Sequence, residues 1–214
     1  MDYRLSPHPN HPQDPSDTPA AELRDARHPD HLEDVCAAVR LLRDEHGVGD
    51  GEYVLAGHSA GATLACQLLL RHQQQRVPLP AAVLGVSGIY SLPLLVRTCG
   101  PYYEAFVRGA FGGAENWDAA SPALLRTGGG DGDDEGAAAS ARWPRDVLAV
   151  LAWSADDTLI PASETDAMAE RLRGEDGVDV VVYKGLTGEH DAVWSEGHQL
   201  AKAVGITLDA LAKR

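Results

Sequence analysis

The apolar residues of this chain follow two patterns, helical spacing and short continuous runs. From Asp30 they recur every three or four positions, which predicts a helix ending at Gly47. Continuous apolar runs of strand length cover 53–56, 81–86, 147–153 and 178–183. Such runs are typical of strands buried on both faces of a parallel sheet. Further helices are predicted over 60–73, 163–173 and 197–213. This order predicts an α/β fold, a mostly parallel sheet with helices on both faces.

Three stretches do not follow this alternation of predicted strands and helices. Residues 6–20 are rich in proline, histidine and aspartate, and they predict an irregular loop. Residues 88–125 include a helical pattern over 102–111 and are a candidate cap over the site. Residues 127–141 are acidic and of low complexity, which predicts a disordered insertion without a catalytic role. We therefore expect a single domain over residues 1–214.

The segment from Tyr53 to Ala65 carries the clearest chemical signal. It reads as a strand, a Gly-x-Ser-x-Gly turn and an Ala/Leu-rich helix, which is typical of the nucleophile elbow of an α/β-hydrolase. Such a turn lifts the hydroxyl of Ser59 out of the sheet, and the backbone N–H of Ala60 then faces a developing oxyanion. We expect both flanking glycines, at 57 and 61, to lack room for side chains, since strand and helix approach closely there.

A serine nucleophile needs a histidine base and a carboxylate that orients it. In this fold they follow in the order serine, acid, histidine, each in a loop after a strand. The loop after 147–153 offers Asp156 and Asp157, and the loop after 178–183 offers His190. The Thr-Leu-Ile-Pro that follows resembles the pattern found after the acid in this family of hydrolases, and this resemblance favours Asp157, with Asp156 kept as the alternative. We predict that His58, inside the elbow, packs beside the serine.

Charge, cysteine content and apolar segments limit which molecules this chain is expected to bind and where it is expected to be located. The formal net charge is −14, which argues against a nucleic-acid partner because phosphates would be repelled. The three cysteines are widely spaced, and Cys36 and Cys66 fall on apolar helix faces, so we expect free thiols in a reducing compartment. No segment of the sequence approaches bilayer-spanning length and the first residues have no apolar signal core. We expect a cytoplasmic protein without a membrane partner.

Several motifs together resemble the fungal kynurenine formamidase family. They include Tyr-Arg-Leu-Ser-Pro at 3–7, His-Pro-Asp-His at 28–31, the elbow, Ser-Gly-Ile-Tyr at 87–90 and Gly-Glu-His-Asp at 188–191. The resemblance implies a small-molecule substrate, N-formyl-L-kynurenine, cleaved to formate and L-kynurenine in tryptophan catabolism. It implies a Ser59–His190–Asp157 triad and neither a metal nor an organic cofactor. The aromatic residues considered as contacts for the substrate ring are Tyr102, Tyr103, Trp117 and Trp194.

One family feature is not found in this sequence. The His-Gly-Gly motif, whose amides complete the oxyanion hole, precedes the Tyr-Arg-Leu-Ser-Pro strand in the family, whereas this sequence begins at Met1. The first strands of the sheet would also be missing, which leaves strand 53–56 with an unpaired edge. A truncated gene model is favoured, because the triad is intact in type and order. An inactive fragment and a gap filled by a partner chain stay open.

Two other functions remain as alternatives. One is a general carboxylesterase of the hormone-sensitive-lipase-like type, which aryl esters would distinguish from aryl formamides. The other is a hydrolase-fold remnant without catalysis, which would not react with a fluorophosphonate serine probe. The exposed edge also makes a homodimer an open alternative to the monomer.

Overall fold

The structure is a computed structural model that describes residues 3–125, 141–174 and 176–214. The acidic insertion predicted at 127–141 therefore lies outside the described residues except for Ala141, which is buried. The described strands are β1 (Val54–His58), β2 (Ala82–Val86), β3 (Leu148–Ser154) and β4 (Val180–Leu186). The described helices are α1 (Asp30–His46), α2 (Ala60–Leu70), α3 (His72–Gln75), α4 (Leu92–Cys99), α5 (Pro101–Phe111), α6 (Trp117–Ala120), α7 (Ala162–Gly174), α8 (Ala192–Ser195) and α9 (His198–Leu211).

The four described strands form one sheet in the order β1-β2-β3-β4, and every pairing is parallel. The predicted parallel sheet is confirmed. Because all four strands run in the same direction, the loops that follow their carboxyl ends lie together at one end of the sheet. Within the described residues β1 pairs only with β2 and lies at the edge of the sheet, as expected.

Helices cover both faces of the sheet, also as predicted. On one face α1, α2 and α7 enclose a core that includes Leu55, Val83 and Leu151. On the other face α9 packs against Leu84 and Val150. Side chains on alternate positions of the central strands β2 and β3 thus enter two separate cores, which is why these two strands have no polar face, whereas the outer strands β1 and β4 include exposed positions.

The end of the first helix agrees with the prediction, whereas the end of the second does not. The first helix ends as predicted, because Gly47 adopts a left-handed conformation (φ 68°) and its N–H caps the Arg43 carbonyl. The helix predicted over 60–73 instead breaks at Arg71 (φ −112°, ψ 16°) into α2 and the short α3. Apolar spacing ends at Leu70, and the glutamines that follow give no buried face to continue the helix.

Residues 3–7 form no strand, so that expectation is wrong. Arg4 instead binds α1: its backbone N–H and its Nε both donate to Asp34 at 2.9 Å. The Leu5 carbonyl accepts from the amide of Ala26 at 3.2 Å. The backbone polar groups of this segment are thus satisfied by α1 and the loop before it, and not by β1.

Residues 88–125 contain α4, α5 and α6, which pack on a small apolar cluster of their own with Ile160. This cluster stands beside the sheet at the end where the site residues lie. No helix in the part of the chain that the structure describes has both the length and the apolar character to cross a bilayer.

Candidate active site

Ser59 occupies a strained turn between β1 and α2. Its φ of 52° and ψ of −121° lie in a region that side chains other than glycine rarely adopt. Its own N–H donates to the Val86 carbonyl at 2.9 Å, and its carbonyl accepts from Ala62 at 3.0 Å, so both neighbouring elements hold the turn. Strain of about 1–3 kcal/mol persists only where the surroundings over-determine it, and such residues cluster at functional sites.

The two glycines of the turn are not equivalent. A Cβ added at Gly57 would collide with the backbone of Gly61 and lie 2.6 Å from the nitrogen of Ala62. A Cβ added at Gly61 would meet nothing within 4 Å. The expected crowding is confirmed at Gly57 and wrong at Gly61. The backbone of Gly61 is what approaches the strand, whereas a Cβ on Gly61 would point into open space.

Asp157 and His190 form a buried hydrogen-bonded pair. His190 Nδ1 lies 2.9 Å from Asp157 Oδ2, and both side chains are almost fully buried. The other oxygen, Oδ1, accepts from the backbone N–H groups of Leu159 at 3.0 Å and Ile160 at 2.9 Å. Burial alone would raise the pKa of Asp157, but the hydrogen bonds from His190 and Ile160 outweigh it and hold that pKa below its usual value. The carboxylate is therefore ionised at neutral pH and fixes the orientation of the imidazole.

Hydrogen bonds between the two loops hold this pair in register. Ser154 Oγ donates to the Gly188 carbonyl at 2.6 Å, and the Gly188 amide donates to Asp156 Oδ2 at 2.8 Å. Thr158 Oγ1 donates to Glu189 Oε2 at 2.9 Å. Asp156 therefore joins the loops at the surface, while its neighbour in sequence contacts the imidazole. The sequence left Asp156 and Asp157 as alternatives for the acid that orients the histidine. In the structure Asp157 is the one bonded to His190.

Ser59 follows His58 in the chain, and His58 contacts His190 of this pair. His58 Nε2 is 3.1 Å from the His190 carbonyl, and the two rings lie 4.4 Å apart between centroids. Burial and the nearby His190 lower the pKa of His58, so its ring is neutral. Among the described residues no hydrogen bond joins the Ser59 hydroxyl to His190. Catalytic hydrogen bonds of free enzymes are often long and tighten only when substrate binds.

A cavity of about 510 Å³ reaches the elbow at Ala60. Its wall comes from α4, α5, the loop at 5–8 and Leu159 of the aspartate loop. Ala60 is the first residue of α2, where backbone N–H groups have no partner within the helix and carry the positive end of its dipole. Ala60 thus lies at the border of the cavity next to the serine, at the end of α2 where backbone N–H groups have no partner within the helix.

The aromatic side chains considered from the sequence divide into two groups. Tyr102 and Tyr103 line the cavity, together with Phe106 of the same helix. Trp117 is buried in the apolar cluster and donates to the Gly112 carbonyl at 3.1 Å. Trp194 is half-exposed and lies outside the cavity. Neither tryptophan lines the cavity, so the candidate ring contacts there are the tyrosines.

Sequence reasoning missed the polar residues of the cavity that come from the amino-terminal segment. Ser6 and His31 line a smaller adjoining cavity with Ala60, and Ser6 Oγ lies 2.8 Å from His31 Nε2. Arg24 lines the larger cavity. Ser6 and His31 belong to two of the motifs noted in the sequence, but neither those motifs nor any local spacing places these residues or Arg24 at the cavity, since that placement depends on distant contacts. No cluster able to hold a metal ion is present among residues 3–125, 141–174 and 176–214.

The free thiols expected from the sequence are present. Cys36 and Cys66 are buried and unpaired by disulfides, and Cys99 is half-buried and also free. Burial raises the pKa of Cys66 to about 12, so the thiol is not ionised at neutral pH. These cysteines are packing residues, and the nucleophile of the site has to come from elsewhere.

Comparisons with known proteins agree with this geometry. A family model described as the α/β-hydrolase fold matches residues 24–194. The chain is 35% identical over 219 residues to a kynurenine formamidase-like hydrolase of Fusarium equiseti, covering 99% of this chain and 69% of that protein. It is 35% identical over 217 residues to a kynurenine formamidase of Aspergillus versicolor, covering 91% and 68%. A solved esterase/lipase from an uncultured bacterium matches with a TM-score of 0.65 at 18% identity, covering 99% of this chain and 64% of that one.

The strained serine turn, the buried aspartate–histidine pair and the family match agree, and the chain belongs to the α/β-hydrolase family. It spans about two thirds of the length of these relatives. The names of its relatives identify it further as a hydrolase of the kynurenine formamidase type. The solved structure supports the fold alone.

Proposed function

We propose that this chain is a serine hydrolase that cleaves the formyl amide bond of N-formyl-L-kynurenine. The observation that carries the proposal is the buried Asp157–His190 pair, at 2.9 Å, beside the strained turn that presents Ser59. The names of the two relatives supply the substrate class, and the cavity with aromatic side chains next to Ala60 suits an aryl ring.

The proposed reaction begins at the serine. Ser59 Oγ attacks the formyl carbon while His190 Nε2 takes the hydroxyl proton, and the C=O electron pair moves to oxygen. The Ala60 N–H donates to this oxyanion. Asp157 holds the proton of His190 Nδ1 and stabilises the imidazolium that forms. His190 then returns the proton to the aryl nitrogen, the C–N bond breaks, and the arylamine leaves a formyl ester on Ser59.

Water completes the cycle. His190 takes a proton from water, the resulting hydroxide attacks the formyl ester, and formate is released as the proton returns to Ser59 Oγ. A formyl group needs almost no space on its acyl side. Selectivity therefore comes from the side of the leaving arylamine, and the apolar cavity bordered by Ala60 offers room for it.

The test is hydrolysis of N-formyl-L-kynurenine, followed by the absorbance of released kynurenine. We expect turnover by the wild-type chain and a loss of about 10⁴-fold or more in Ser59→Ala. An aryl acetate measured in parallel distinguishes a formamidase from a general carboxylesterase. Equal activity of Ser59→Ala on the formamide would refute the proposed nucleophile, and activity on the ester alone would refute the substrate.

A further inference from the structure

The large cavity beside Ala60 has an apolar and aromatic wall with one cationic side chain. Of the described residues that line it, Arg24 is the only arginine or lysine, and none is an aspartate or glutamate. His8 also lines it, but desolvation and the neighbouring His11 lower the pKa of His8, which leaves its ring neutral. The positive charge in this cavity at neutral pH therefore belongs to Arg24.

Arg24 is held in place by its backbone, while its side chain stays available. Its N–H donates to Gln13 Oε1 at 2.7 Å, and Gln13 Nε2 in turn donates to the Glu22 carbonyl at 2.9 Å. The side chain is half-buried, and its guanidinium makes no hydrogen bond or ion pair with the described residues. By contrast, Arg4 lies 2.9 Å from Asp34, and Arg171 lies 2.7 Å from Asp176.

Among the described residues two other arginines are half-buried, and each donates to a backbone carbonyl: Arg40 to that of Gln75 and Arg71 to that of Ala119. A half-buried guanidinium without any such partner is therefore particular to Arg24. Acidic residues outnumber basic ones 32 to 18, so carboxylates are abundant at the surface. The net charge of −14 repels anionic ligands in general, and only a local cation can offset that repulsion. A guanidinium matches the two oxygens of a carboxylate with parallel hydrogen bonds, and such pairs strengthen where the surroundings are apolar.

Resting on the proposed function, we propose that Arg24 binds the carboxylate of the substrate and makes this site selective for aryl formamides that carry an anionic side chain. Ala60 and Arg24 border the same cavity, and Tyr103 and Phe106 of α5 line it as well. A substrate with its formyl group at the elbow can therefore lay its ring on α5 and its carboxylate on Arg24. Arg24 is a substrate-binding residue and takes no part in bond breaking.

The experiment compares two substrates that differ only in the carboxylate. These are N-formyl-L-kynurenine and its decarboxylated counterpart, which keeps the aryl formamide and the amine. We expect Arg24→Gln to raise KM for the carboxylated substrate about ten- to hundredfold, with kcat little changed. KM for the decarboxylated substrate should stay as in the wild type. Arg24→Lys should recover part of the loss, since it restores the charge without the planar fork.

Arg27→Gln is the matched control, because Arg27 is an exposed arginine of the same segment that does not line the cavity. It should leave both substrates unchanged. An equal effect of Arg24→Gln on both substrates would show a structural role and overturn the inference, as would no effect on either.

A binding measurement keeps this inference separate from the reaction. Calorimetric titration of N-formyl-L-kynurenine into Ser59→Ala, with and without Arg24→Gln, reports the carboxylate contact without turnover. Binding that depends on Arg24 in a chain that hydrolyses neither formamide would refute the proposed function and support the carboxylate site. Hydrolysis of both formamides with equal KM by the wild type would support the function and refute the site.

Discussion

Behind the wall of the candidate site lies a buried acid whose ionisation should weaken the fold at neutral pH. Glu164 of α7 is fully buried, and its Oε2 accepts the backbone N–H groups of Tyr90 and Ser91, each at 2.7 Å. Its Oε1 has no partner among the described residues. Burial raises the pKa of Glu164 to about 7, although both hydrogen bonds lower it. The segment it holds adjoins Ile89, which lines the cavity.

The raised pKa fixes the sign and size of the effect. Because the folded state binds this proton more tightly than the unfolded state, where the pKa is 4.5, stability falls as the pH rises. The contribution is complete below pH 4.5 and is lost as the pH rises through about 7. At about 1.4 kcal/mol for each pKa unit, we expect a loss of roughly 2–3 kcal/mol between pH 5 and pH 8.

Urea unfolding at these two pH values, in wild type and Glu164→Gln, measures this loss. The glutamine keeps the shape and an acceptor for the two amides but cannot ionise, so the wild type should lose roughly 2–3 kcal/mol more than the variant on going from pH 5 to pH 8. Glu170→Gln, an exposed glutamate on the same helix, is the control and should follow the wild type. Identical pH dependence in wild type and Glu164→Gln would refute the reasoning.

Two further pairs of substitutions probe the aspartate–histidine pair and the serine turn. Asp157→Asn should lower kcat on the aryl formamide about 10⁴-fold because it reverses the imidazole tautomer, whereas Asp156→Asn should cost less than about tenfold. Similar losses in the two variants would contradict the assignment of the orienting acid. Gly57→Ala should destabilise the chain by about 1–3 kcal/mol through backbone overlap, measured by thermal unfolding. Gly61→Ala, with open space at its Cβ position, should be neutral or stabilising by up to about 1 kcal/mol, and a loss equal to that of Gly57→Ala would refute the difference between the two positions.

Local patterns were sufficient for the sheet and for the serine turn. The apolar runs identified all four described strands. The signal is clearest for the central strands β2 and β3, because strands buried on both faces leave no polar positions to obscure it, whereas β4 includes the exposed Lys184. The turn at Ser59 is encoded within a few residues, since Gly57 is required where strand and helix backbones meet. The order of serine, acid and histidine could likewise be predicted, as each candidate residue follows its own strand.

Long-range packing explains what the sequence did not predict. Residues 3–7 carry a strand-like motif, yet Arg4 pairs with Asp34, thirty positions away, and this contact decides their conformation. Arg24 borders the cavity, and Gln13, eleven positions earlier, binds its backbone N–H. The choice between Trp117 and Tyr103 as ring contacts also depends on which of the helices within residues 88–125 lines the cavity. No local spacing encodes such contacts.

The central claim is that Ser59 is the activated nucleophile of this chain. Intact-protein mass spectrometry after reaction with a fluorophosphonate tests it most directly, because the reagent labels only serines activated by a base. We expect one adduct per chain, located at Ser59 by peptide mapping, absent in Ser59→Ala and formed far more slowly in Asp157→Asn. An unlabelled wild-type chain, or equal labelling of Ser59→Ala, would contradict the account.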